Sequence, residues 1–153
     1  MRAVVAIGAN LDEPKAAVEL AIELLKQATE LVAASSLHTT KPVGGPAQPD
    51  YVNAVCILES DLPAVELLHL LHGIEKSMGR VREEKWGPRI IDLDLISYGT
   101  LLSQDIDLTL PHPFAHQRRF VLEPWLEIDP DAHLLTHGLV LSLIHISEPT
   151  RPY

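Results

Sequence analysis

The chain has 153 residues, of which 46% are hydrophobic and 22% are charged, and its formal net charge is −9. This length suits one domain with a substantial core, and the acidic balance argues against general binding to nucleic acid. The sequence lacks the run of about 18 apolar residues that a membrane span requires, and its N-terminus lacks the pattern of a signal peptide. Because the single cysteine, Cys56, excludes an internal disulfide, we expect a cytoplasmic protein.

The first part of the chain predicts a strand followed by a helix. Residues 2–8 form an apolar run that ends in a glycine and is typical of a buried strand. Residues 10–36 then carry apolar side chains at helical spacing. Either Asn10 or Asp12 can cap this helix, and Pro14 suits its first turn.

The middle of the chain predicts two β segments and a second helix. Residues 36–41 are rich in threonine and favour β structure, and residues 51–60 alternate as a strand does. The segment between them, 43–50, is full of glycine and proline and predicts a loop. Residues 62–79 have the pattern of an amphipathic helix that ends at a glycine.

The last predicted elements are a strand over 90–99, a short hairpin over 100–110 and a short helix over 116–129. The order of the main elements is therefore β-α-β-β-α-β. This order indicates an α+β fold of the ferredoxin-like type, an antiparallel sheet with both helices packed on one face. The architecture hosts many functions, so it does not by itself decide what the protein does.

The C-terminal end of the sequence has a different character. Residues 141–151 read "LSLIHISEPTR", which is typical of an in-frame translation of a sequencing adapter. We therefore expect one functional domain over residues 1–140 and a non-native tail over residues 141–153.

Two aspartates stand inside an apolar run, "GPRIIDLDLISYG". Side chains at positions i and i+2 of a strand face the same side, so Asp92 and Asp94 should point together, with Cβ atoms roughly 6–7 Å apart. Half-buried carboxylates at that distance repel one another, and Mg²⁺ relieves the repulsion while it also binds phosphate oxygens. The alternative is a sheet face open to water, on which both carboxylates are merely solvated.

A cationic patch precedes this strand. It holds four of the chain's twelve lysines and arginines, namely Arg80, Arg82, Lys85 and Arg89. Such a patch on an acidic protein favours a small anionic ligand, although a solvated loop would have the same composition. Carboxylates for a metal beside arginines for phosphate are the groups that phosphoryl transfer requires.

Several spaced motifs resemble the 6-hydroxymethyl-7,8-dihydropterin pyrophosphokinases, which move the terminal pyrophosphate of ATP onto a pterin alcohol. The motifs are "AIGANL", "TKPVGGPAQPDYVNAV", "IEKSMGRVR", "WGPRIIDLDLISYG" and "PHPFAHQRRFVLEPWLEI". The resemblance spans residues 1–140, and its most specific part is the block WGPR-x-x-DLD.

The resemblance implies ATP and 6-hydroxymethyl-7,8-dihydropterin as substrates, with two Mg²⁺ ions held by Asp92 and Asp94. The catalytic residues that it implies are Arg82, Arg89, Asp92 and Asp94. The pterin-binding residues that it implies are Thr40, Pro42, Val43, Tyr51, Asn53, Trp86 and Phe120. The nucleotide-binding residues that it implies are Glu75, Arg80, Arg82, Lys85, Trp86, Arg89, Ile96, His112 and Arg118.

The chemistry of a pterin supports part of this assignment. The ring is flat with a polar edge, so it suits two aromatic faces, Tyr51 and Phe120, and a donor–acceptor amide, Asn53. Taken alone, Tyr51 would be interpreted equally well as core, and Phe120 more readily as core than as a ligand-stacking ring. Lys85 stands where the family pattern favours arginine, and an ammonium cannot form the two-pronged contact of a guanidinium with phosphate.

We expect a monomer with no nucleic-acid or membrane partner. Two other functions stay open on the sequence. One is a non-catalytic ferredoxin-like binding or regulatory module, in which the two aspartates are solvated. The other is a Mg²⁺-dependent phosphohydrolase, which would use the same aspartates to activate water.

Overall fold

The computed structural model describes residues 1–11, 13–41, 49–79 and 91–145. The strands of the main sheet are β1 (Arg2–Ala9), β2 (Glu30–Ala34), β3 (His38–Thr40), β4 (Tyr51–Glu59) and β5 (Asp92–Tyr98). The helices are α1 (Pro14–Ala28), α2 (Ala64–Ser77), α3 (Arg119–Ile128) and α4 (Val140–Ile144), and a short 3-10 helix covers Ala115–Gln117. Two small hairpins consist of β6 (Ser103–Asp105) with β7 (Leu108–Leu110) and β8 (His133–Leu134) with β9 (Gly138–Leu139).

The main sheet is antiparallel at every pairing that the described residues make. Its strand order is β2-β4-β1-β5. β3 pairs with the first three residues of β4, on the same side of β4 as β2. The helix α1 connects β1 to β2, and α2 precedes β5, which is the arrangement of a split βαβ unit. The predicted α+β, ferredoxin-like fold is confirmed.

One side of the sheet, termed here the α1/α2 face, packs on the first two helices. Val5 and Ile7 of β1 belong to one buried cluster with Leu25 of α1 and Leu67 and Leu71 of α2. Full burial of each such side chain contributes about 1.5–3 kcal/mol. This face is therefore the main source of hydrophobic stability.

The opposite side, termed the α3 face, is covered in part by the C-terminal helices. Val4 of β1 and Ile57 of β4 form a second buried cluster with Leu122 and Trp125 of α3 and Leu143 of α4. The central strands are therefore buried on both sides, although period-two alternation sends their side chains to different partners. The sequence predicts the helices of the α1/α2 face but does not assign the final helix to the other face.

The predicted helix over residues 10–36 is too long. α1 ends at Ala28, Thr29 has an extended backbone with φ −138°, and Glu30–Ala34 instead pairs with β4. Hydrogen bonding to an existing strand overrides a weak helical pattern here. The predicted cap is also wrong for Asn10, because the residue before the helix is Glu13 and it makes no side-chain cap; Asp12 lies outside the described residues.

Other elements agree with their predictions. α2 is followed by Gly79 at φ 85°, a left-handed conformation that suits glycine at a helix end. Cys56 is buried, and burial raises the pKa of its thiol to about 12, as expected for an inert core cysteine. Among the described residues, no helix is long and apolar enough to cross a membrane.

The segment after residue 140 is described as far as residue 145. It forms α4, and Leu143 packs into the cluster that α3 covers. Residues 146–153 lie outside the described residues, and the non-native origin of the tail stays a prediction.

Candidate functional site

β5 is an edge strand that carries its acidic side chains on one side only. Leu93 and Leu95 are buried in the cluster of the α1/α2 face, whereas Asp92 and Asp94 are half-buried and alternate with them. The two carboxylates therefore share the α3 face, as the sequence predicts. Like charges in this arrangement favour a shared divalent cation with oxygen ligands.

The register of the sheet places other polar groups in line with these carboxylates. Gly8 of β1 is the partner of Asn53 on one side and of Asp92 on the other. In-register residues of neighbouring strands point to the same face. On the α3 face, Asn53, Gly8 and Asp92 therefore form a row across three strands. The row consists of an amide, a glycine without a side chain, and a carboxylate.

The amide end of this row is held in place. Asn53 is 2% exposed, and its Nδ2 donates a hydrogen bond of 2.8 Å to Oγ1 of Thr40. Tyr51, two residues earlier on β4, is 1% exposed and lies on the same face by alternation. The amide orientation is thus set by a neighbouring strand before any ligand binds.

Glu75 reaches the site from the other side of the sheet. It lies on α2, is 2% exposed, and its Oε2 accepts a 2.7 Å hydrogen bond from the backbone N–H of Leu93. Leu93 lies between the two aspartates. Because β5 is an edge strand, a backbone N–H group that points away from β1 needs another hydrogen-bond acceptor. Glu75 therefore positions the strand that carries Asp92 and Asp94.

The loop after β7 places a histidine beside β5. The backbone N–H of His112 donates to the carbonyl of Ile96 at 2.8 Å, and the His112 Nδ1 accepts from the N–H of Phe114 at 3.2 Å. The pKa of His112 is lowered from its ordinary value of 6.5 to about 4, chiefly by burial and also by Arg118, while Asp92 opposes both effects. At neutral pH the imidazole is therefore uncharged and carries its proton on Nε2.

Arg118 stands between two aromatic rings. Its guanidinium carbon lies 5.5 Å from the ring centre of Phe114 and 5.7 Å from that of Phe120. Both separations fall within the range of cation–π attraction. Phe120 packs at the edge of the cluster on the α3 face, so it lies on the same side of the sheet as Tyr51 and the carboxylates.

A contact between α3 and the start of β3 supports the Thr40 side of the site. Glu127 accepts hydrogen bonds from the backbone N–H of Ser36 at 2.8 Å, from the Ser36 hydroxyl at 2.7 Å and from Nε2 of His38 at 2.8 Å. These hydrogen bonds, those from Ser36 first, lower the pKa of Glu127 from 4.5 to about 2. α3 thereby anchors β3, the strand whose Thr40 holds the Asn53 amide.

The predicted site residues fall into three groups. Residues on the α3 face or in the loops beside it are Thr40, Tyr51, Asn53, Asp92, Asp94, His112, Arg118 and Phe120. Glu75 and Ile96 contribute through the backbone of β5. The Glu75 carboxylate accepts a hydrogen bond from the N–H of Leu93, and the carbonyl of Ile96 accepts one from the N–H of His112. Residues that lie outside the described part of the chain are Pro42, Val43, Arg80, Arg82, Lys85, Trp86 and Arg89.

The described residues contain no group of three or more His, Cys, Asp or Glu side chains that could hold a metal ion. A metal at Asp92 and Asp94 would therefore draw its remaining ligands from outside this set, as Mg²⁺ does when it binds through one or two carboxylates, phosphates and water.

Sequence interpretation missed two contributors to the site. The sequence predicts Gly8 as the end of a strand and the start of a turn, although a glycine inside an apolar β run is itself a signal of close approach. Glu127 gave no local signal, because Ser36 and His38 meet it only through tertiary packing.

Comparison with known proteins gives a consistent result. A sequence profile described as 7,8-dihydro-6-hydroxymethylpterin-pyrophosphokinase (HPPK) matches residues 4–130. A protein of Haemophilus influenzae named 2-amino-4-hydroxy-6-hydroxymethyldihydropteridine pyrophosphokinase is 40% identical over 144 residues, which cover 93% of this chain and 90% of that protein. Proteins of the same name from Pseudomonas aeruginosa and Synechocystis are 39% and 45% identical, covering 87% and 84% of this chain and 83% and 67% of theirs.

Solved structures agree on the fold. HPPK-DHPS of Plasmodium falciparum, solved with SDX-DHP, superimposes with a TM-score of 0.71 at 13% identity, and an HPPK-DHPS in complex with substrates gives 0.75 at 12% identity. Both matches cover 95% of this chain, but this chain spans only 45% and 43% of those longer chains. At such low identity these matches support the fold alone.

Proposed function

Since the chain belongs to the 7,8-dihydro-6-hydroxymethylpterin-pyrophosphokinase family, we propose that it transfers pyrophosphate from ATP to the hydroxymethyl group of 6-hydroxymethyl-7,8-dihydropterin and releases AMP. The product is an intermediate of folate biosynthesis. The observation that carries the proposal is the row Asn53–Gly8–Asp92, because it puts a ring-binding amide and a metal-binding carboxylate on one face of one sheet.

The donor set at β5 fits two magnesium ions that accompany ATP. Asp92 and Asp94 are half-buried, share a face and supply oxygen ligands, which are what Mg²⁺ prefers. Bound there, the metal would neutralise charge on the phosphate chain. Glu75 keeps the peptide between the two carboxylates hydrogen-bonded and so limits how far they can move apart.

Residues around the carboxylates are suited to the nucleotide. Arg118 carries a permanent positive charge for phosphate oxygens, and His112, neutral at physiological pH, offers an Nε2–H that can donate to an anion. By family resemblance, phosphate contacts also come from Arg82 and Arg89, with Arg80, Lys85 and Trp86 in the same segment and Ile96 beside the nucleotide.

The pterin would bind next to Asn53. The amide has a fixed orientation, so it can recognise the polar edge of the ring, and the ring faces would stack between Tyr51 and Phe120. Thr40 holds the amide, and by family resemblance Pro42, Val43 and Trp86 complete the pocket.

The reaction would then be an in-line displacement. The hydroxymethyl oxygen attacks the β-phosphorus, the bond from that phosphorus to the oxygen bridging to the α-phosphate breaks, and AMP leaves with that oxygen while the alcohol proton passes to solvent. No covalent enzyme intermediate is required. The protein contributes alignment of the two substrates and stabilisation of the developing charge.

A single assay separates this function from its alternatives. Purified protein is mixed with ATP and Mg²⁺, with and without the pterin alcohol, and AMP and inorganic phosphate are measured. We expect AMP only when the pterin is present. Phosphate release without pterin would instead identify a phosphohydrolase, and no turnover with either mixture would identify a non-catalytic module.

We further propose that residues 1–140 act as a single-domain, monomeric enzyme in the cytoplasm, without nucleic-acid or membrane partners, and that residues 141–153 take no part in the reaction. Support comes from the position of the site on β1, β3, β4 and β5, all before residue 140. Sedimentation of the protein at several concentrations tests the monomer, and the activity of folded protein after removal of residues 141–153 tests the tail.

A further inference from the structure

Gly8 occupies a position where glycine is costly and its conformational freedom is not used. It is buried in the central strand β1, where a missing side chain costs about 0.5–1 kcal/mol relative to alanine. Its φ lies outside the positive range, unlike that of Gly79 and Gly99, so any residue could adopt its backbone conformation. The reason for glycine must therefore lie in the space above it.

Side-chain volume on β1 decreases steadily toward the site on the α3 face. The successive residues on that face are Val4, Ala6 and Gly8, whereas the other face carries Ala3, Val5, Ile7 and Ala9 and shows no steady decrease. The floor of the α3 face is thus lowest between Asn53 and Asp92, which are the two partners of Gly8 across the sheet.

A side chain at this position would crowd one specific atom. A Cβ built on Gly8 lies 3.2 Å from Oδ1 of Asn53, which is tighter than an ordinary contact, and no other described atom outside the adjacent residues lies within 4 Å. The Asn53 side chain would have to shift by a few tenths of an ångström, but it is buried and held by its 2.8 Å hydrogen bond to Thr40. An added methyl group would therefore disturb the orientation of the amide and raise the floor beside it.

We propose that Gly8 is a specificity-determining residue of the pterin pocket, because its missing side chain leaves a lane across β1 that a flat bicyclic ring occupies from Asn53 to Asp92. Adjacent strands lie about 4.8 Å apart, so the backbones of Asn53 and Asp92 lie about 9.6 Å apart. Oδ1 of Asn53 reaches over Gly8 from one side and would meet the polar edge of the ring there. This inference rests on the proposed function and adds a residue to it. It assigns Gly8 to the ring and not to the nucleotide.

The test is the variant Gly8→Ala in the full chain, with two binding measurements. The affinity of the pterin alcohol, measured with a non-hydrolysable ATP analogue and Mg²⁺ present, should fall about tenfold or more, as expected for overpacking a fixed site. The affinity of the analogue alone should stay within about twofold, since the lane does not hold the nucleotide. Equal weakening of both ligands, or no weakening of the pterin, would overturn the proposal.

Two controls make the result specific. Gly73→Ala adds a methyl group on α2, where no described atom lies within 4 Å, and should leave both affinities unchanged. In an Asn53→Ala background, which removes the close contact, Gly8→Ala should lose the part of its effect on pterin affinity that comes from the disturbed amide and keep the part that comes from the raised floor. If Gly8→Ala alone fails to fold, that double variant must recover the fold, and failure to recover it counts against the inference. A wild-type protein that binds no pterin would instead contradict the proposed function itself.

Discussion

The two faces of the sheet are built from the same strands but differ in chemistry. On the α1/α2 face, large aliphatic side chains such as Ile7 and Leu93 are buried to 2% and 1% exposure. On the α3 face, the neighbouring positions are Gly8, Asp92 and Asp94, two of them charged and half-buried. Both faces bury apolar clusters, but only the α3 face also places two half-buried carboxyl groups beside its cluster.

This division explains how carboxylates can stand inside an apolar strand. The alternation of β5 lets Leu93 and Leu95 fill the core while Asp92 and Asp94 remain near water. Within the described residues, the same strand forms the edge of the main sheet. Four substitutions test how separate the two faces are.

Asp94→Ala should have the largest effect, and on activity alone. If Asp94 binds metal as proposed, its loss should reduce turnover by at least about 100-fold, in line with removal of a single electrostatic group from an active site. The melting temperature should stay close to that of the parent, because Asp94 is half-buried on the α3 face. Steady-state AMP formation measures turnover, and thermal unfolding measures the melting temperature.

Asp131→Ala, which changes an exposed aspartate outside the site, is the matched control for Asp94→Ala and should leave both quantities unchanged. Near-normal pyrophosphate transfer by Asp94→Ala would show that the metal assignment is wrong.

Leu71→Ala should have the opposite profile. Leu71 is 0% exposed in the cluster of the α1/α2 face, so its truncation should lower the free energy of unfolding by about 2–5 kcal/mol. The folded fraction should keep its pterin and nucleotide affinities. Leu20→Ala, at a position 50% exposed on α1, is the control and should cost far less. A specific loss of affinity in folded Leu71→Ala would show that the faces are coupled.

Glu75→Ala should affect both faces, because Glu75 belongs to the α1/α2 face and bonds to the backbone between the two aspartates. Leaving the N–H of Leu93 without this acceptor should cost about 1–3 kcal/mol in unfolding free energy. Turnover should also fall. Glu19→Ala on an exposed position of α1 serves as the comparison. Chemical denaturation measures the stability, and the AMP assay measures turnover. A loss of stability with unchanged turnover would contradict the positioning role.

Glu127→Gln should have the smallest effect, below about 1 kcal/mol, since the carboxylate is partly exposed and solvent screens it. The folded-state pKa of Glu127, about 2, is below its ordinary value of 4.5. The unfolded chain therefore binds more protons between these values, so the stabilisation is present above pH 4.5 and is lost as pH falls toward 2.

The check is the difference in unfolding free energy between the parent and Glu127→Gln as a function of pH. This difference should shrink as the solution is acidified through that range. Glu123→Gln on the same helix is the control, and a difference that grows on acidification would contradict the account.

Much of this architecture could be predicted locally. The alternation of residues 51–60 and the helical spacing of 62–79 fix which side of each element is apolar, and both elements form nearly as predicted. The fixed two-residue period also placed Asp92 and Asp94 on one side. Prediction failed at residues 30–34, where a helical pattern gives way to strand pairing with β4.

The sequence alone determined the order of elements, the direction of side chains within each strand, and the family motifs that lead to a pterin pyrophosphokinase. These follow from periods and spacings that operate over a few residues. Tertiary structure decided which residues meet: that Gly8 separates Asn53 from Asp92, that Glu75 bonds to Leu93, and that α3 covers the second face. Such contacts depend on strand pairing and helix packing between segments far apart in the chain, where tertiary context overrides local preference.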